Sequence, residues 1–133
     1  MRFVAAACLI AIAAPAHAAE AIDFNQVLMG FTGKPLLQRG DCPQPKRGEE
    51  DTCEQVPMTL GDIAVTALLT GLPADQNEEP IKKFQRDRLA RRVYKAVVAL
   101  TPEDVALLKD RIGRVYGPVQ VGASWPLLDP TLK

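Results

Sequence analysis

The chain has 133 residues, 16 basic and 16 acidic side chains, three cysteines and a single histidine. Its length fits one domain with a core of modest size. One histidine, and that one near the N-terminus, excludes Ser-His and Cys-His nucleophile pairs and His-rich metal sites from the body of the chain.

Residues 1–18 have the pattern of an export signal. Arg2 gives a minimal positive start, Val4 to Ala14 form a charge-free apolar run, and Pro15 breaks it. Ala16-His17-Ala18 then puts small residues at a cleavage site. The run is shorter than the roughly 20 apolar residues that span a bilayer. Cys8 lies inside it rather than at its end, which argues against lipidation. Cleavage after Ala18 is expected to leave about 115 residues with no histidine and two cysteines, in a periplasmic or secreted location where disulfides persist. No transmembrane segment is expected in that remainder.

Residues 19–58 are expected to form an extended arm or small hairpin followed by a Pro-rich acidic loop. Ile22, Phe24, Val27 and Leu28 carry the apolar bulk of the arm, and Thr32-Gly33-Lys34-Pro35 is turn chemistry. Residues 41–57 hold three prolines and seven charged residues, with no apolar face to bury. Cys42 and Cys53 bracket the middle of this loop. Their spacing fits neither a metal site nor a C-x-x-C redox pair, so a structural disulfide is expected.

Residues 59–133 are expected to form three helices and an apolar tail. Thr59 and Asp62 cap the first helix, whose Leu60, Ile63, Ala64, Ala67 and Leu68 recur at helical spacing until Gly71 and Pro73. The second helix is expected from Pro80 to Leu100, with Ile81, Leu89, Val93, Ala96 and Leu100 on one stripe and Phe84 beside it. Thr101-Pro102-Glu103-Asp104 starts the third, with Val105, Leu108, Ile112 and Val115 inward and Gly117-Pro118 as its stop. Gly122, Pro126 and Pro130 predict a turn and about one helical turn around Trp125 thereafter.

Charge is divided along the chain. Residues 20–80 carry eleven acids and four bases, residues 81–133 five acids and eleven bases. Such a division marks either a bipolar surface or two halves that neutralise each other. Arg88, Arg91, Arg92 and Lys95, at i, i+3, i+4 and i+7, are expected to form a basic stripe on the second helix and are the candidate partner-binding residues, together with Trp125. The stripe suits phosphates or an acidic protein surface. Export ranks nucleic acid last among these, and Tyr94 alone is placed to stack on a base. Glu49, Glu50, Asp51 and Glu54 lack the ligand order of a calcium loop. No phosphate-binding or nucleophile-elbow pattern occurs, so no catalytic residue, cofactor or metal is expected.

Two stretches, MTLGDIAVTALLTG and LTPEDVALLKDRIGRVYGPVQVGASWPLL, resemble small helical proteins of bacterial and prophage genomes. Those proteins carry a Leu-Thr-Leu-Gly-Asp helix start, a charged middle helix and an Ile-Gly-x-x-Tyr-Gly-Pro…Val-Gly-x-x-Trp tail. The resemblance covers residues 57–128 and implies a helical architecture without an activity. The export signal and Pro126 depart from it. The expected protein is therefore mainly α: a compact three-helix core with an arm or hairpin and a disulfide-stapled loop. Its expected role is that of an exported, non-catalytic protein-interaction module. The alternative is a prophage-derived structural or nucleic-acid-contacting protein inside the cell.

Overall fold

The computed structural model describes residues 19–133, so the export-signal reading of residues 1–18 lies outside the described residues. In chain order the elements are β1 (Ala21–Asp23), β2 (Leu37–Arg39), β3 (Gln55–Pro57), α1 (Leu60–Leu69), α2 (Pro80–Val93), β4 (Val97–Ala99), α3 (Pro102–Val115) and α4 (Pro118–Leu128). Single 3-10 turns at Pro73–Asp75 and Pro130–Leu132 follow α1 and α4.

α1 is the central helix, packed against both α2 and α3. Leu60, Ile63, Ala64, Ala67 and Leu68 are all buried, as their spacing predicts. The expected cap is complete: Asp62 N–H donates to Thr59 Oγ1 at 3.2 Å, and Thr59 N–H donates to Asp62 Oδ2 at 2.9 Å. The arm satisfies two further N–H groups of the first turn. Leu60 N–H donates to the Gln26 carbonyl (2.9 Å) and Gly61 N–H to that of Phe24 (2.7 Å). Only glycine permits the second bond, because a Cβ on Gly61 would stand 2.9 Å from the Phe24 carbonyl oxygen.

The arm is both of the things its sequence suggests. β1 pairs antiparallel with β4, Ile22 opposite Val98, and Phe24 and Leu28 drop fully into the core. A tight turn closed by Gly30 N–H to the Lys34 carbonyl (2.8 Å) reverses the chain. β2 then pairs with β3, Gln38 opposite Val56. The loop 41–54 is thus the connection of a hairpin, and the residues 55–57 that end it are strand rather than loop.

Two expectations change. α2 stops at Val93, not Leu100, because Val97–Ala99 leaves the helix to pair with β1. Lys95 makes the break in the left-handed region at φ 48°. Leu100, the residue after β4, is buried, while Ile81 stays exposed. The tail also forms a real fourth helix, so the molecule has four α-helices among the described residues where three were expected. Pro118 occupies the first turn of α4, and Pro126 lies in its last turn, where it has no N–H to give the Gly122 carbonyl four residues back. Leu128 closes the core, and α4 packs on α3.

Candidate interaction surfaces

The arginines of α2 divide between two faces. Arg86 is in register with Leu89, Ala90 and Val93, and all four are buried. Its guanidinium donates to the Leu68 carbonyl at the end of α1 (3.0 Å) and to Glu78 (2.6 Å). From α3, Arg111 is 4% exposed, donating through Nε to the Ala67 carbonyl (3.1 Å), through Nη1 to both oxygens of Asp75 (2.9 and 3.0 Å) and through Nη2 to the Thr70 carbonyl. Two cations therefore close the negative end of α1 and satisfy carbonyls that its last turn leaves free. The Leu72 backbone N–H, then the Arg111 and Arg86 guanidiniums, hold the Asp75 carboxyl below its ordinary range.

This cluster is where the acidic and basic halves of the chain meet. Arg86 and Arg111 come from the basic half, Asp75 and Glu78 from the acidic half. The basic stripe expected from the sequence includes neither Arg86 nor Arg111. The signal was there: each sits on a core stripe, Arg86 three before Leu89 and Arg111 three after Leu108.

The outward face of α2 carries Ile81, Phe84, Arg88, Arg91 and Arg92, all exposed. Arg88 lies over the Phe84 ring at 5.8 Å, Arg91 pairs with Asp87 (2.8 Å), and Arg92 reaches Asp104 of α3 (3.1 Å). Lys95 does not continue that stripe. It lies beyond the helix end with its ammonium 5.3 Å from the Tyr94 ring, on the wall of a polar cleft of about 650 Å³ shared with Asn25, Arg39, Gly40, Asp41 and Asp62. The expected four-residue stripe is thus three arginines on a helix plus a lysine on a neighbouring cleft.

Trp125 is half-buried on α4. Its ring would stand 3.4 Å from a Cβ on Gly113, and Lys109 lies over its face at 5.2 Å. The indole Nε1 is buried and has no hydrogen-bond partner among the described residues. Lys109 also pairs with Asp129 (3.0 Å), whose carboxyl is held low first by the Thr131 hydroxyl and then by Lys109. A cleft of about 640 Å³ between the arm, α3 and α4 has this ion pair in its wall. Toward the N-terminal end of α4, Met29 and Phe31 of the arm's turn line a shallow pocket with Val119 and Ala123, and Phe31 is 92% exposed.

Cys42 and Cys53 form the expected disulfide, with their Cα atoms 5.9 Å apart. It closes the loop just beyond the β2–β3 pair. Asp51 pairs with Arg39 (2.6 Å) and accepts from Cys53 N–H (3.1 Å), while Glu49 accepts from Lys46 N–H (3.1 Å). These carboxylates are engaged as turn ligands to backbone and arginine. Among the described residues, no three His, Cys, Asp or Glu side chains converge on one point, and no helix is long and apolar enough to cross a membrane. No protein-family model, curated protein or solved structure matches the chain.

Proposed function

We propose that the chain is an exported, non-catalytic interaction module whose docking surface for a protein partner is the outward face of α2. One observation carries this reading. Ile81 and Phe84 are each more than half exposed, yet they belong to a helix whose other face is filled by Arg86, Leu89, Ala90 and Val93. Large apolar side chains among arginines are the composition of interface centres. The arginines are also pre-ordered by Phe84, Asp87 and Asp104, which lowers the entropy lost when a partner binds. The disulfide supports export, since such bonds persist in oxidising compartments.

A photocrosslinking residue at position 84 of a tagged chain, irradiated in intact cells, tests the surface. A discrete protein adduct is expected from position 84 and none from position 34 in the arm's turn. Equal labelling from both positions, or none from 84, removes the proposal. Fractionation tests the location: a full-length cytoplasmic product with reduced Cys42 and Cys53 ends the export reading.

A further inference from the structure

We infer that a second copy of this chain docks on the α2 face, the acidic side of the β2–β3 loop of one molecule lying on Arg88 and Arg91 of the other. The inference rests on the reading of α2 given above and names its partner.

Charge complementarity carries it. Lys82, Lys83 and Arg88 form no ion pair among the described residues, and neither do Glu50 and Glu54 of the loop. No ion pair among the described residues joins the loop to α2 within one molecule. The loop's own cations, Lys46 and Arg47, precede the Gly48 turn, whereas Glu49, Glu50, Asp51 and Glu54 follow it in sequence, so the returning limb is acidic. Each molecule therefore holds an exposed acidic limb and an exposed basic helix face that do not neutralise each other.

Placement makes the pairing reciprocal. Asp41 at the base of the loop and Lys95 just past α2 line the same polar cleft, so the loop's base stands beside the C-terminal end of α2. Two patches of opposite sign on one molecule match themselves across a two-fold axis, each molecule giving a loop and receiving one. Ile81 and Phe84, exposed in the single molecule, are covered as the loop settles on the helix. A net charge of zero for the full chain, or −1 once Arg2 is removed with residues 1–18, leaves little long-range repulsion between copies.

Sedimentation of the purified, oxidised chain tests the inference through a charge swap. The chain is expected to self-associate at about 50 mM salt and to weaken markedly at about 500 mM. Arg88→Glu with Arg91→Glu, and separately Glu49→Lys with Glu50→Lys, should each weaken association at least about tenfold. An equimolar mixture of the two variants should restore it, because both contacts of the mixed pair then join opposite charges. Thermal melts of each variant identify any that fail to fold, and single reversals at Arg88 and Glu50 then replace them. A monomer at every concentration, association indifferent to both variants, or no recovery in the mixture overturns the inference. A monomeric chain that still crosslinks another protein through position 84 overturns this inference alone and leaves the proposed function standing.

Discussion

The helix at the centre of this protein and the hairpin loop at its edge are held by opposite means. α1 is enclosed on its apolar side and closed at both ends by groups from elsewhere: arm carbonyls at its N-terminus, guanidiniums from α2 and α3 at its C-terminus. The loop 41–54 buries no large apolar side chain, and a covalent bond joins its ends instead. A segment with apolar surface to hide can recruit partners. A segment without it needs a crosslink that shrinks the unfolded ensemble.

That contrast can be broken at either end. The largest effect is expected from Arg111→Ala, which leaves Asp75 and the carbonyls of Ala67 and Thr70 without their buried cation. Chemical denaturation should show a loss of about 3–5 kcal/mol. Arg88→Ala, on the outward face, should stay within about 0.5 kcal/mol. A similar cost for both would mean that the inward and outward arginines do not differ as their burial says.

Cys42→Ser with Cys53→Ser should cost about 2–3 kcal/mol for a ring of this size. The loss should be local in character. Hydrogen exchange is expected to show weakened protection in β2 and β3 while α1 and α3 keep theirs. Uniform loss across all elements would show instead that the loop and the central helix unfold as one unit.

Gly61→Ala should cost about 1–3 kcal/mol, since a methyl group there forces the arm's backbone away from α1. An unchanged denaturation midpoint would mean that the Phe24 carbonyl is free to move and that the arm is not a fixed cap.

The smallest effect concerns acid. Asp75 and Asp129 titrate below the ordinary carboxylate value in the folded chain, so their contribution is fully present above about pH 4 and is lost as pH falls through their depressed values. Stability should therefore be flat at neutral pH and decline below about pH 4. Asp75→Asn should be less stable at neutral pH and show a shallower acid decline. An acid limb of unchanged slope in that variant would assign the decline to other carboxylates.

Much of the helical core was legible because its signals are local. Thr59 and Thr101 cap α1 and α3 where expected, and Leu108 and Ile112 lie inward at their predicted spacing. The end of α2 was not legible, because Val97–Ala99 becomes a strand only through pairing with β1, over seventy residues earlier. Apolar spacing alone carried the expected helix through to Leu100. Pro126 looked like a breaker because proline past the first turn removes a helix hydrogen bond and crowds the carbonyl four residues back. Yet the chain continues only two residues further as helix, and the sequence does not reveal which turn is last. At the candidate surface, Arg88, Arg91 and Arg92 were placed correctly on the helix, but Lys95 was lost with the helix end. The buried pair Arg86 and Arg111 required reading a charged residue as part of a core stripe, against the usual expectation that arginine faces water.

The guanidinium of Arg111 has a consequence for timing. It meets a carbonyl of α1 from 44 residues further along the chain, so the closure that Arg86 begins at the C-terminal end of α1 is complete only when α3 exists. A chain emerging from its N-terminus holds the arm and α1 long before the cation that completes them, and during that interval its central helix is a marginal local structure. The last third of the sequence thus acts as the latch on the first two.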